Sequence, residues 1–182
     1  MKIKSFEEKI EIPEGVEVKI DNGVVSMSNN GKTVTKTLNH RKVNLSVADK
    51  NVVLAFKNGT KREKTINGTF KAHIKNMFKG IIEGHVYKLK ICSGHFPMNV
   101  SVKGNEFVIN NFLGEKISRE LHLKDGVSVK IEGDIITVEG IDKELTAQTA
   151  ADIEILTKVK GKDRRIFQDG IYITNKDGKE LA

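Results

Sequence analysis

The densest group of cations in the sequence lies in residues 157–165, called the basic segment below. It has one acidic residue, Asp163, and five cations: Lys158, Lys160, Lys162, Arg164 and Arg165. So much positive charge on a short arc predicts a binding site for phosphate groups. The three lysines alternate, so on an extended chain they point the same way, and Gly161 lets the backbone approach a bulky ligand. A solvated basic loop is the alternative that charge alone leaves open.

An apolar stretch follows the basic segment at once and can tie it to a folded core. Its members are Ile166, Phe167, Ile171, Tyr172 and Ile173. The region therefore combines one half that needs an anionic partner with another half that holds the first in place.

Overall charge points to the same class of partner. The chain has 182 residues and a net charge of +7, which favours an acidic partner, nucleic acid first. Residues 1–90 hold 18 Lys and Arg against 9 Asp and Glu, whereas residues 91–182 hold 13 against 15. The basic segment thus lies in the acidic half of the chain.

The remaining composition excludes several classes of protein. A single cysteine, Cys92, rules out an intramolecular disulfide. No apolar run approaches 18 residues and none follows the N-terminus, so we predict neither a membrane span nor a signal peptide.

No motif in the sequence indicates catalysis or a metal site. Gly31-Lys32-Thr33 resembles the end of a phosphate-binding loop, but that motif needs a glycine at position 26, which is Ser26, and a following helix, where we predict a strand. The five histidines are scattered without metal-ligand spacing. His95 and Cys92 are close but lack a third partner. We therefore predict no enzyme, no cofactor and no metal.

Apolar residues that alternate with polar ones predict an antiparallel meander in the first half of the chain, with turns at Asn22-Gly23 and Asn29-Asn30-Gly31. The period then changes to that of a helix, whose apolar face is Phe70, Ile74, Met77, Phe78 and Ile81. Gly80 and Gly84 are expected to end it. Lys71, Lys75 and Lys79 form a second stripe, either the solvated side of a surface helix or a contact for RNA.

The second half repeats this plan. Strand-like alternation from Tyr87 to Val138 leads to a helical segment at 145–156, with Ala147, Ala150, Ala151 and Ile155 on one side. A shift of about 83 residues superposes Val43-Asn44-Leu45 on Val127-Ser128-Val129. We therefore predict an α+β fold of two similar domains from an internal duplication, residues 1–84 and 85–182, each a small antiparallel sheet covered by one helix.

Two short connections combine apolar, turn-forming and polar residues: 95–100, His-Phe-Pro-Met-Asn-Val, and 111–116, Asn-Phe-Leu-Gly-Glu-Lys. Each is either a packed hairpin corner or a loop that docks on a partner, and the sequence leaves both possibilities open.

Phrases along nearly the whole chain resemble one family, the large-subunit ribosomal protein six family in its archaeal and eukaryotic branch. The first half contributes Ile12-Pro13-Glu14-Gly15-Val16, Asn39-His40, His73-Ile74, Asn76-Met77 and Lys79-Gly80. The second half contributes Gly84, Tyr87-Lys88, His95-Phe96-Pro97, Asn99-Val100, residues 111–116, Ala150-Ala151-Asp152-Ile153, Lys160, Lys162-Asp163, Arg165, Phe167 and Asp169-Gly170-Ile171-Tyr172. The chain departs from the family at Ser28–Gly31, where a Gly-Pro-x-Gly turn is expected.

The resemblance implies two duplicated α+β domains and a non-catalytic protein of the cytoplasmic large ribosomal subunit. It implies binding to large-subunit ribosomal RNA, chiefly through the C-terminal domain, close to neighbouring ribosomal proteins at the stalk base and to the site of the translation factors. Phosphate contacts are expected at Lys158, Lys160, Lys162, Arg164 and Arg165, with Gly161 permitting close approach and with Phe167, Ile171 and Tyr172 as anchors. Lys116, Arg119 and Lys103 are secondary candidates.

Two other functions remain open from the sequence. One is a general RNA- or DNA-binding protein outside the ribosome. The other is an adaptor that meets acidic protein surfaces. Affinity for unrelated RNA favours the first, and a lack of RNA binding in moderate salt favours the second.

Overall fold

The structure is a computed structural model that describes residues 3–181. The chain divides into two compact units, Met1–Glu83 and Gly84–Ala182. Among the described residues, no helix is long and apolar enough to cross a membrane.

The first unit contains six strands and one helix. The strands form two three-stranded antiparallel sheets, ordered β2-β3-β4 and β1-β6-β5. Their bounds are β1 Ile3–Glu11, β2 Glu17–Asp21, β3 Val24–Asn29, β4 Lys32–Thr37, β5 Asn44–Ala48 and β6 Asn51–Gly59. β1 has no counterpart in the sequence prediction, because Glu8 stands among its inward-facing residues and interrupts the apolar alternation.

Tight turns join the strands of the first sheet, as the sequence predicts. Asn22 and Gly23 have φ values of 47° and 80°, and Asn30 and Gly31 have 48° and 78°. Positive φ at both central residues defines the type I′ turn, whose twist matches that of the flanking strands. The asparagine-glycine pair at 30–31 therefore closes the β3–β4 hairpin without the proline that the family resemblance leads one to expect.

Helix α1, Lys61–Ile82, packs its apolar face against both sheets. All five residues of the predicted face are buried: Phe70, Ile74, Met77, Phe78 and Ile81. The expectation that Gly80 ends the helix is wrong. Gly80 is buried inside α1, because an interior glycine costs only about 1 kcal/mol and the packing around it outweighs that cost. The helix ends before Gly84, which has a φ of 80°.

The second unit repeats the first, element by element, and then adds to it. Its three-stranded sheet is ordered β8-β9-β10, and its five-stranded sheet β11-β12-β7-β13-β14. Their bounds are β7 His85–Cys92, β8 Asn99–Lys103, β9 Glu106–Asn110, β10 Arg119–His122, β11 Val127–Glu132, β12 Ile135–Gly140, β13 Gly170–Lys176 and β14 Lys179–Glu180. Helix α2, Lys143–Leu156, covers the five-stranded sheet.

The predicted α+β class with two similar units is confirmed, and each unit has two antiparallel sheets. Six strands of each unit correspond in their order. β2-β3-β4 corresponds to β8-β9-β10, and β1-β6-β5 corresponds to β7-β12-β11. Strands β13 and β14 occur in the second unit alone among the described residues. β13 pairs with β7 on the side away from β12, and β14 pairs with β13.

The buried face of α2 differs from the expected one. Thr146, Thr149, Ala150 and Ile153 are buried, whereas Ile155 is 62% exposed. The two threonine hydroxyls donate to the carbonyls four residues earlier, Asp142 at 2.7 Å and Leu145 at 2.9 Å. A threonine whose hydroxyl is hydrogen-bonded within the helix can face the core. A prediction based on apolar residues alone therefore assigns the buried face of α2 to the wrong residues.

Helix α1 begins with a capping box formed by Thr60 and Glu63. The pKa of this carboxylate predicts how the stability of the first unit changes at acidic pH. The Thr60 amide donates to Glu63 Oε2 at 2.6 Å, and the Thr60 hydroxyl donates to the same oxygen at 2.5 Å. These bonds, the hydroxyl first, lower the pKa of the buried Glu63 from 4.5 to about 2. A lowered folded-state pKa stabilises the native state above the unfolded value, and that stabilisation is lost as the pH falls from 4.5 towards 2.

We therefore expect Glu63→Gln to destabilise the protein at pH 7 and to reduce its loss of stability between pH 4.5 and pH 2.5. Urea midpoints across this range measure the effect. Glu14→Gln, at an exposed carboxylate, is the matched control. An equal midpoint difference between the native protein and Glu63→Gln at every pH would contradict the role assigned to this carboxylate.

Candidate nucleic-acid interface

The basic segment begins where α2 ends, and a buried threonine fixes that point. Thr157 is 2% exposed. Its hydroxyl oxygen accepts a hydrogen bond from the Ile171 amide at 2.9 Å and donates to the Glu154 carbonyl at 3.2 Å. Because Ile171 is fully buried in β13, these bonds tie the start of the basic segment to the core of the second unit.

The first lysines of the segment alternate as predicted. Val159 is buried, whereas Lys158 and Lys160 on either side are exposed. At Gly161 the chain ceases to be extended, since φ is 70°. Lys162 therefore does not continue the row of the other two lysines, contrary to the simple extended-chain expectation.

Asp163 organises the turn that carries the two arginines. Its carbonyl accepts hydrogen bonds from the amides of Ile166 and Phe167 at 3.1 and 2.9 Å. Its carboxylate accepts from the Arg165 amide at 3.0 Å and from the Arg165 guanidinium at 2.8 Å. The guanidinium bond is the main cause of the lowered pKa of Asp163. This pair is solvent-exposed and therefore weak.

A buried carboxylate fixes the other end of the connection between α2 and β13. Asp169 is 2% exposed, and its Oδ1 accepts hydrogen bonds from the amides of Gly94 and His95 at 2.6 and 2.9 Å. Its Oδ2 lies 2.5 Å from His95 Nδ1. Burial raises the pKa of Asp169, but the bonds from His95 and Gly94 together lower it below its ordinary value. The loop at 94–97 and the connection after α2 are thus joined through one carboxylate.

Phe167 contacts both His95 and Lys162. The His95 ring stacks on one side, with ring centroids 4.7 Å apart. Lys162 Nζ lies 4.6 Å from the centroid of the Phe167 ring, a cation–π distance. The aromatic ring therefore positions a lysine of the basic segment as well as packing on the loop.

Arg119 connects three parts of this region. Its guanidinium donates to both carboxylate oxygens of Glu115, at 2.8 and 2.6 Å, and to the Leu156 carbonyl at 2.5 Å. It also lies 4.2 Å from the centre of the Phe112 ring. Leu156 is the last residue of α2, so the arginine satisfies a carbonyl that the helix leaves without an internal partner. Arg119 acts here as a clamp at the point where the basic segment begins.

The loop at 111–116 carries a carboxylate, Glu115, that interacts electrostatically with Lys162 of the basic segment. Hydrogen bonding to Arg119 is the largest cause of the lowered pKa of Glu115, and the positive charge of Lys162 contributes to it. Asn111 Nδ2 donates to the Pro97 carbonyl at 3.0 Å, and the backbone at Gly114 lies against the Phe96 ring. The two connections that the sequence leaves unassigned therefore meet each other and the basic segment.

The structure places the remaining candidate residues in different surroundings. Lys116 is exposed in the loop at 111–116, and Lys103 is exposed at the end of β8, opposite Glu106. Arg164 and Lys158 line a surface cavity of about 290 Å³ together with Tyr172. The phosphate-binding roles of all these cations remain predictions.

Two residues of the expected apolar anchor are not buried. Ile171 is fully buried and Phe167 half-buried, but Ile166 is 63% and Tyr172 38% exposed. Tyr172 holds the connection from outside, because its hydroxyl donates to the Gln168 carbonyl at 3.1 Å. The connection is therefore held by buried polar groups at Thr157 and Asp169, and by the buried apolar Ile171 that follows in β13.

The polar anchors have no local signal in the sequence. The sequence predicts no third partner for His95 and Cys92, whereas Asp169, the partner of His95, lies 74 residues further along the chain. Within residues 3–181, no group of three or more His, Cys, Asp or Glu side chains is placed to hold a metal ion.

Replacing Arg119 tests the clamp. A lysine keeps the charge but cannot reproduce the forked donation to Glu115 and Leu156 or the stacking on Phe112. We expect Arg119→Lys to lower the free energy of unfolding by about 1–3 kcal/mol, the cost of broken charged hydrogen bonds. Chemical denaturation measures it, with Arg164→Lys as the control. Equal effects of the two substitutions would count against the clamp.

Replacing Asp169 tests the joint between the two loops. Asp169→Ala leaves the amides of Gly94 and His95 without their acceptor, so we expect both to lose hydrogen-exchange protection. Asp163→Ala, in the exposed turn, is the control and should leave them protected. Because the pKa of Asp169 is lowered, the same protection in the native protein should be complete above pH 3.8 and fall below it. Unchanged exchange in Asp169→Ala would refute this joint.

Comparison with known proteins identifies the family. The family model described as ribosomal protein L6 matches residues 12–84 and 96–170, one match in each half of the chain. These two matches correspond to the two repeats seen in the structure.

Three archaeal proteins show the same relationship over nearly the whole chain, each named large ribosomal subunit protein uL6. That of Methanococcus vannielii is 44% identical over 174 residues, 96% of both chains. That of Aeropyrum pernix is 46% identical over 171 residues, 93% of this chain and 94% of its own. That of Methanobrevibacter smithii is 42% identical over 173 residues, 95% and 97%. The resemblance found in the sequence is confirmed, and the chain belongs to the ribosomal protein L6 family.

Proposed function

We propose that this protein is a structural constituent of the large ribosomal subunit that binds large-subunit ribosomal RNA, mainly through the basic segment of its second unit. The observation that carries the proposal is that this segment is exposed and cationic, yet held at both ends by buried polar groups. Thr157 and Asp169 are each 2% exposed, and the five cations between them are all exposed.

Such an arrangement favours phosphate binding for a physical reason. Five cations within nine residues repel one another, and folding alone gives no reason to gather them. Because the hydrogen bonds of Thr157, Asp163 and Asp169 fix the backbone, the cations lose less conformational entropy when they bind. Contacts of this kind fix the position of a protein on RNA, and the folded RNA is recognised largely by its shape.

The family supports a finer proposal about location. The matched relatives are named as proteins of the large ribosomal subunit, so we infer that this chain acts in the cytoplasm within that subunit. We further propose that it lies near the stalk base, beside neighbouring ribosomal proteins and close to the translation-factor site. The function is structural, and no step of catalysis is assigned to any residue.

The test is binding to large-subunit ribosomal RNA over a salt series. Five phosphate contacts predict a slope of log K against log salt of about −3 to −5. A variant with Lys158, Lys160, Lys162, Arg164 and Arg165 changed to Ala should bind more weakly and with a shallower slope. Filter binding or fluorescence anisotropy gives both quantities.

An unrelated structured RNA of equal length is the control. Preference for the ribosomal RNA, lost in the variant, supports the proposal. Equal affinity for both RNAs indicates a general RNA-binding protein. Binding to ribosomal RNA that the five substitutions leave unchanged removes the basic segment from the interface.

A further inference from the structure

We propose that one side of helix α1, in the first unit, is a second RNA-binding surface that is separate from the basic segment. Five lysines form this surface, called the lysine stripe: Lys61, Lys64, Lys71, Lys75 and Lys79. The inference rests on the proposed function only for the choice of RNA as the partner.

The lysine stripe is longer than the sequence indicates, because α1 begins at Lys61. With 100° of rotation per residue, the five lysines fall within an arc of about 80°, and they extend about 27 Å along the helix. Lys61, Lys64 and Lys75 are exposed. The stripe is therefore a straight row of positive charge that can follow a phosphate backbone.

The helix carries almost no compensating negative charge. Its 22 residues include one carboxylate, Glu63, which is buried in the capping box and bonded to Thr60. Glu8 of β1 pairs with Lys71. A typical surface helix places Glu or Asp four residues from Lys, whereas here Lys71 and Lys75 are like charges at that spacing, which is unfavourable. Lys61, Lys64 and Lys75 are exposed, and such a row of like charges favours an anionic ligand.

A glycine at the centre of the stripe supplies an independent argument. Gly68 lies in the middle of the lysine arc, and a Cβ atom built there would meet nothing within 4 Å. Packing within the unit therefore does not require a glycine, although glycine is among the least favourable residues in a helix interior. Ala72, just outside the lysine arc, is also small and exposed, so a bulky backbone can approach α1 closely beside the lysines.

RNA fits these features better than an acidic protein does. Regularly spaced phosphates match a row of lysines over about 27 Å, and Gly68 and Ala72 offer a protein little apolar area to bury, although Ile82 at the end of the same side is 48% exposed. Both unfavourable features of the helix, the like charges and the glycine, acquire a role when a phosphate backbone lies along the stripe.

The first experiment compares two triple variants of the full chain with equal changes in charge. The stripe variant is Lys61→Gln, Lys64→Gln and Lys75→Gln, which leaves the Lys71–Glu8 pair intact. The control is Lys19→Gln, Lys50→Gln and Lys57→Gln, three exposed lysines elsewhere in the first unit. Three lost phosphate contacts make the slope of log K against log salt shallower by about 2–3, and binding at 0.1 M salt roughly a hundredfold weaker. The control should change neither value to this extent.

The second experiment separates folding from binding at one position. Gly68→Glu places a helix-favouring carboxylate between Lys64 and Lys71, so it should raise the melting temperature. The same carboxylate repels phosphate and should weaken RNA binding. A solvated helix face predicts the rise in melting temperature without the loss of binding.

Three outcomes overturn the inference. The first is equal RNA affinities and salt slopes for the two triple variants, and the second is unchanged RNA binding by Gly68→Glu. The third is a stripe variant that loses binding to the acidic polymer polyglutamate but keeps its binding to RNA. Failure of the proposed function looks different, since the native protein would then show no preference for the ribosomal RNA. The slope difference between the triple variants can be measured on either RNA, so the lysine stripe is tested in both cases.

Discussion

The basic segment depends on one physical constraint. Its cations repel one another, so contacts with the rest of the second unit have to hold its backbone in place. The basic segment forms no helix and no strand, so no ladder of backbone hydrogen bonds fixes it. Thr157 and Asp169 supply the restraint at its two ends, and each is almost fully buried. Arg119 adds a third restraint by holding the last carbonyl of α2. The exposed cations therefore lie on a backbone that buried polar groups hold in place at both ends.

These restraints exist because the second unit contains strands in addition to the repeated elements. Both units contain the same six strands in two groups of three and one helix, and β13 and β14 extend one of these groups in the second unit to five strands. In the second unit the chain continues from α2 to β13, which pairs with β7 from Gly170 opposite Cys92 to Lys176 opposite Tyr87. The basic segment is the connection between these two elements. The second unit thus differs from the first by the added strands β13 and β14 and by the basic segment that leads to them.

Local features of the sequence were sufficient to predict most of the fold. The asparagine-glycine turns and the alternating strands need only short-range geometry, and the apolar spacing of α1 from Phe70 to Ile81 defines its face. Prediction failed where a polar residue occupies an inward position. Glu8 in β1 accepts a hydrogen bond from Asn67 at 3.2 Å, and Thr146 and Thr149 satisfy their hydroxyls within α2. The cations of the site were identifiable from their density, whereas the Asp169–His95 joint has no local signal because its partners are far apart in the chain.

The pairing of β13 with β7 also has a consequence for the time at which the site forms. β7 is made before most of the second unit, and β13 after it, so their pairing closes a long loop and comes late in folding. Until then Ile171 has no core to enter and the Thr157 hydroxyl has no amide to accept from. During synthesis, the first unit can complete its two sheets while the basic segment is still a flexible chain. The basic segment therefore acquires its shape only after the scaffold of the second unit has been assembled.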